Sequence, residues 1–276
     1  MTTRVLPLAL ASLLLAGCNT PAAEAPSDPM ASEPAAGTMV ARSGGGTVEL
    51  PLRDEGAMRE LQGLGVDPAP TLRLLSPAAD STLEPGTLTV RYEIANYEVG
   101  EELGQHVHVI LDNEAYKADY APAGSVSFSP EELSPGTHVL TAFLSRPMHL
   151  ALKNRQASGQ VVFHVGDPTP DFAYAADAPA LVYSRPKGSY SRADGSAANV
   201  MLDFYLFNVE LAPDGYRVRA TVDGGPATLI ESWGPRVILT DPAPGEHMIR
   251  LELLDPAGAP VPGPTNDTTR TITITE

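Results

Sequence analysis

Histidine carries most of the ligand chemistry in this chain, and His106 and His108 stand two positions apart in Gly104-Gln105-His106-Val107-His108-Val109. Residues i and i+2 of an extended strand share a face, so both imidazoles project the same way and can share one transition-metal ion. Met148 and His149 follow in the loop between the last two strands of the same unit. They complete a candidate ligand set of His106, His108, Met148 and His149, for which copper or zinc is the fitting ion. Because Val107, Val109 and Leu111 read as the inward side of the strand, the alternation places the histidine pair on its exposed face. His138 and His247 each follow a Pro-Gly turn and read as structural residues at strand starts. His164, on the last strand of its unit, is expected about two strand spacings, or roughly 9 to 10 Å, from the pair.

Reaction chemistry is harder to find. The chain has no Gly-x-Ser-x-Gly elbow, no phosphate-cradling glycine loop, no His-Glu-x-x-His and no cysteine placed as a nucleophile, so it reads as a non-enzyme. Its carboxylates cluster in Asp194-Gly195, Asp214-Gly215 and Asp223-Gly224, where turn geometry alone calls for them. A second set of ligand-facing candidates, Tyr190, Trp233, Arg217 and Arg219, lies in the later half and could stack on a sugar or meet acidic groups.

The single cysteine, Cys18, closes Leu15-Ala16-Gly17-Cys18 directly after the apolar run Val5 to Leu15, which Arg4 precedes. An apolar core of that length behind one positive charge is a secretory signal. The Leu-Ala-Gly-Cys ending resembles the lipobox of bacterial lipoproteins. That resemblance implies cleavage after residue 17, a thioether-linked diacylglycerol on Cys18 and an acyl group on its new amino terminus. Several acyl chains hold a protein to a membrane almost permanently, since each buried methylene contributes about 0.8 kcal/mol. With Asn19 rather than an aspartate after the cysteine, the resemblance favours the outer membrane of the cell envelope.

Residues 18–46 are Ala, Pro, Ser, Glu and Gly with almost no large apolar side chain, a composition that reads as a flexible spacer. Residues 47–68 follow as a short segment, with a strand expected over Thr47 to Leu52 and a helix over Glu55 to Leu64. The remainder is one pattern written twice. Leu74-Leu75-Ser76-Pro77 answers Val182-Tyr183-Ser184-Arg185-Pro186, and Asn96-Tyr97-Glu98-Val99 answers Asn208-Val209-Glu210-Leu211. Gly104 to Val109 answers Gly215 to Ala220, and Pro135-Gly136-Thr137-His138 answers Pro244-Gly245-Glu246-His247. Short alternating runs between Pro, Gly, Asn and Asp turns, in two units of about 100 residues, predict an all-β chain of two tandem antiparallel β-sandwiches. The pattern resembles the immunoglobulin-like and fibronectin-type-III-like modules of bacterial surface lipoproteins. The first sandwich is expected over residues 69–166, a linker over 167–177 and the second sandwich over 178–276.

A formal charge of −16, which loss of Arg4 with the signal makes more negative, disfavours nucleic acid as a partner. The combined reading is an exported, membrane-anchored binding or scaffolding module whose partner is an envelope protein or a glycan. Two alternatives stand beside it: copper or zinc binding and delivery through the first sandwich, and a carbohydrate-binding surface. No organic cofactor is expected.

Overall fold

The computed structural model describes residues 65–276, apart from Ala123, Ala173 and the side chain of Met148. The signal, Cys18, the spacer and the strand and helix expected before residue 65 lie outside the described residues.

The first unit runs through β1 (Thr71–Ser76), β2 (Thr82–Leu83), β3 (Leu88–Ala95), β4 (His106–Leu111), β5 (Lys117–Asp119), β6 (Ser125–Phe128), β7 (Gly136–Arg146), β8 (Leu150–Ala151) and β9 (Ser158–Val165). The second runs through β10 (Ala180–Arg185), β11 (Ser189–Ser191), β12 (Asn199–Phe207), β13 (Arg217–Val222), β14 (Thr228–Ile230), β15 (Arg236–Thr240), β16 (Gly245–Leu254) and β17 (Asp267–Thr275). One sheet of the first unit has the order β1-β3-β6 and the other β2-β9-β7-β4-β5, with β8 added to β7. The second unit repeats this as β10-β12-β15 and β11-β17-β16-β13-β14. Among the described residues every strand-to-strand pairing is antiparallel except a short parallel contact at the same edge of each unit, β2 with β9 and β11 with β17. The described residues are therefore all-β, two sandwiches with one immunoglobulin-like strand order.

The repeat persists at the level of single hydrogen bonds. Asn96 and Asn208 both take a left-handed backbone, with φ of 58° and 57°. Each uses its side-chain amide to tie down the chain ahead of its unit's first strand, Asn96 to Ala69 O and Asn208 to Ala176 O. Asp112 and Asp223, again left-handed, accept from the histidine of the neighbouring strand in the sheet, His138 of β7 at 2.6 Å and His247 of β16 at 2.7 Å. The other nitrogen of each ring donates to a backbone carbonyl, Ser134 O or Ala243 O. The structural role read for these two histidines is what the fold uses.

Between the sheets of each unit lies an apolar core, with Val90, Val107, Val109, Leu140 and Phe163 in the first and Tyr183, Leu202, Val218, Leu251 and Ile272 in the second. The inward assignment of Val107, Val109 and Leu111 holds. The other face of β4 does not follow the expectation. His106 and His108 are 1% and 0% exposed, not surface residues. A third apolar cluster explains the difference: Ile110, Tyr116, Phe143 and Ala151 of the first unit pack on Val182 and Tyr205 of the second, with Trp233 against them. The outer face of the β4–β7 sheet is thus covered by the outer face of β10 and β12, and β4 and β10 are buried along their whole length. Alternation along a strand defines two faces, and in these two strands both are dry.

Polar groups fasten the same seam. Asn113 accepts from the Tyr183 backbone at 2.7 Å and donates to Thr265 O at 2.9 Å. Arg270 donates to Ser184 O at 2.8 Å and to Asn113 O at 2.9 Å. Lys153 meets Asp203 across it.

Candidate metal centre

Strand geometry brings three histidines to one point. His106 and His108 share the outer face of β4, and β7 runs alongside with Ser145 opposite His106 and Phe143 opposite His108. After Arg146 the chain makes one tight 3-10 turn over Pro147–His149 and returns as β8 against the end of β7. Pro147 starts that turn with its φ already suitable, and His149 closes it at φ 56°, a left-handed value uncommon outside glycine. The fold-back carries the His149 ring over the end of β4 beside His106.

The ring nitrogens converge. His106 Nε2 lies 2.8 Å from His108 Nε2 and 2.9 Å from His149 Nδ1, and His108 Nε2 lies 3.4 Å from His149 Nδ1. The far nitrogens of the two strand histidines are held from behind. His106 Nδ1 is 2.9 Å from Gly104 O, which has no hydrogen to give, so that nitrogen carries the proton and Nε2 offers its lone pair. His108 Nδ1 is 3.0 Å from Ser184 Oγ of the second unit. Outer nitrogens engaged by a carbonyl and a hydroxyl while inner nitrogens converge is how ligating histidines are oriented.

Without a cation this arrangement is internally frustrated. The single in-plane lone pair of neutral His106 Nε2 can satisfy one N–H, yet two ring nitrogens press on it at 2.8 and 2.9 Å. If both neighbours donate, one is poorly satisfied; if either does not, lone pairs face each other. A cation accepting all three lone pairs removes the conflict. With bonds of about 2.0–2.1 Å to imidazole nitrogen, separations of 2.8 to 3.4 Å correspond to angles at the ion of about 85–110°, leaving room for a further ligand.

The surroundings keep His108 neutral. Burial first, then the two adjoining rings, then Lys187 and Arg185, hold His108 well below the ordinary histidine range. Tyr116 stacks on the His108 ring with centroids 3.7 Å apart and planes within 6°, and Lys187 lies 4.0 Å over the Tyr116 ring. Tyr120 lies 4.6 Å from the His106 ring and Phe143 lies 5.2 Å from that of His108. Imidazole donors inside aromatic walls suit a borderline transition metal rather than a hard, oxygen-seeking cation.

His106, His108 and His149 of the candidate set are brought together. Met148 belongs to the same turn, with its side chain outside the described residues. His164 stays apart on β9, hydrogen-bonded to Thr137 Oγ1, with β7 between it and β4. The second set does not form one surface. Tyr190 packs partly on the core from β11, three strands and about 14 Å from β13, which carries Arg217 and Arg219. Arg219 is chelated by Glu252 at 2.5 and 2.7 Å, and Arg217 reaches Pro256 O at 3.1 Å. Trp233 donates to Phe204 O at 2.9 Å and packs edge-on against Tyr205 in the seam. Sequence reasoning missed Gly104, Tyr116 and Ser184 as parts of the centre. Gly104 carried a signal, since it opens the histidine run, whereas nothing along the chain links Ser184 to His108.

No protein-family model matches the chain, and no curated protein matches it. Solved structures similar to it include the fibronectin(III)-like modules of Clostridium thermocellum CbhA, at 13% identity over 74% of this chain and 94% of that one, with a TM-score of 0.27. They also include the FN1–FN3 domains of chicken CNTN1, at 11% identity over 75% of this chain and 66% of that one, with a TM-score of 0.22. The fold assignment stands on the strand order itself.

Proposed function

We propose that this chain is an exported, lipid-anchored envelope protein that binds copper or zinc at His106, His108 and His149 and acts by holding its ligand rather than by catalysis. The observation that carries the reading is the convergence of three imidazole nitrogens within 3.4 Å, two of them oriented from behind by Gly104 O and Ser184 Oγ. Three nitrogen donors on two elements of one sandwich form a closed-in site for one ion. Two of them sit on a central strand and the third on a short half-buried turn, which gives the ion a route in and out past His149. Storage or hand-over of the ion suits that layout, with an envelope protein as the receiving partner.

Titration calorimetry of the chain lacking residues 1–18 with zinc, and separately with copper, tests the reading. One saturable site in the micromolar range or tighter is expected, lost in His106→Ala/His108→Ala and weakened by tenfold or more in His149→Ala. No saturable binding, or binding unchanged in the double variant, overturns it. The anchor has its own test. Cys18→Ser is expected to move the folded protein from the membrane fraction to the soluble one, and retention in the membrane would refute lipidation at Cys18.

A further inference from the structure

All three ligating nitrogens belong to the first sandwich, yet the most deeply buried ring of the site, His108, is held by the second. Ser184 is fully buried on the outward face of β10, and its Oγ is 3.0 Å from His108 Nδ1. Its own backbone is fixed in turn, because Ser184 O accepts from Arg270 at 2.8 Å. The second unit also bears on the His108 ring by two indirect routes. Lys187 covers Tyr116, which stacks on one face of the imidazole at 3.7 Å. Tyr205 stacks on Phe143 at 4.9 Å, and Phe143 lies against His108 at 5.2 Å. The repeat shows that this is a special use of the position. By strand register Leu75 stands in the corresponding place of the first unit, exposed on β1 and without a hydroxyl, and the strand matching β4 in the second unit carries Arg217 and Arg219 where β4 carries the histidines.

We infer that the second sandwich is a working part of the metal centre, with Ser184 the positioning residue that fixes His108 for coordination, so that ion binding and the docking of the two sandwiches are one coupled equilibrium. This rests on the metal-binding reading above. When the ion takes the Nε2 lone pair of His108, the ring proton must sit on Nδ1, and Ser184 Oγ is the acceptor waiting for it. A ring that loses this acceptor can turn about its side-chain torsions or hold the proton on Nε2, and either change removes one of the three donors. Reciprocity follows from linkage: whatever factor docking adds to ion affinity, the ion returns to docking. The first sandwich alone would then be a weak site, and the loaded protein a stiffer pair of modules.

The test is competition of the chain lacking residues 1–18 against a chromophoric zinc chelator, together with thermal unfolding with and without zinc. Ser184→Ala is expected to weaken zinc binding by about 10- to 100-fold, the range for loss of a hydrogen-bond partner behind a metal ligand. It should also shrink the rise in Tm that zinc gives the wild-type chain. Ser184→Thr and Ser184→Val form a second pair of nearly equal shape that differ in the hydroxyl, so a gap of about tenfold between them is expected whatever the larger side chain does to packing. Copper(II) electron paramagnetic resonance of the Ser184→Ala protein should show altered nitrogen coordination, which a change in stability alone would not produce. Zinc affinity within twofold of wild type in Ser184→Ala, or equal affinity in the Thr and Val variants, overturns the coupling while leaving the three-histidine site standing. Failure of the wild-type chain itself to bind zinc or copper refutes the site and the coupling together.

Discussion

Lys153 Nζ lies 2.5 Å from Asp203 Oδ1 in the seam between the two sandwiches, with the side chains 2% and 1% exposed. Lys153 also donates to Phe204 O, while the second carboxylate oxygen of Asp203 accepts from the Ala151 backbone at 2.7 Å. Burial pulls the Lys153 amine below its ordinary range, and Asp203 pulls it back up. Each charge is tolerable there only because the other is present. Lys153→Met, measured by urea unfolding, is expected to cost about 3–5 kcal/mol, the penalty for leaving the partner carboxylate buried alone. A loss below about 1 kcal/mol would mean that water reaches the pair.

Ile110 and Thr221 occupy the same position of the two repeats and differ in what covers them. Ile110 is fully buried against the second unit, while Thr221 is half-buried on β13. Ile110→Ala should therefore cost about 2–5 kcal/mol, the cost of a core truncation. Thr221→Ala should stay within about 0.5 kcal/mol. Equal effects in chemical denaturation would show that the seam is not packed as a core.

Both nitrogens of His138 face acceptors, Asp112 and Ser134 O, and both nitrogens of His247 face Asp223 and Ala243 O, so each site is fully satisfied only by the imidazolium form. The hydrogen bond that His138 donates to Asp112 leads in raising it above the ordinary histidine range, and the one that His247 donates to Ala243 O leads for His247. A raised folded-state pKa gives stability that is fully present below the unfolded value of about 6.5 and is lost as pH rises through the folded one. His108 is depressed and has the opposite slope, confined to pH below about 6.5. Urea midpoints should therefore fall as pH rises above 6.5. Asp112→Asn with Asp223→Asn, which keep an oxygen for the Val139 and Met248 amides, should flatten that fall. A wild-type midpoint that does not change over this window refutes the charged-histidine account.

Gly104 takes φ 65°, and a Cβ there would meet Pro147 at 3.2 Å. Gly104→Ala combines a left-handed alanine, costing about 1–2 kcal/mol, with pressure on the turn that carries His149. Because Gly104 O also orients His106, the same change should weaken zinc binding severalfold in the competition assay. Gly86→Ala, where the added Cβ meets nothing, is the control and should leave affinity unaltered.

Much of the fold was legible because its signals are local. Turn residues at Asn96, Asp112, Asn208 and Asp223 do in the structure what their types call for, and the inward positions of β4 and β13 follow from period-two alternation. All three histidines of the candidate site were legible as candidates, but only the pair followed from geometry. His106 and His108 share a face by strand geometry alone, but the adjacency of His149 depends on the fold-back of β8 onto β7, which turn chemistry does not specify in register.

By itself, the sequence determined the two-fold repeat, the all-β class, which side chains face each unit's own core and which histidines serve turns. Tertiary structure alone decided that the second face of β4 is buried, that three imidazoles meet there and that a serine of the other sandwich stands behind one of them. The physical reason is one of range. Side-chain alternation is a property of a single strand and is written in consecutive residues, whereas what covers a strand's outer face is settled by the docking of two modules, through contacts such as Phe143 with Tyr205 that no local pattern records.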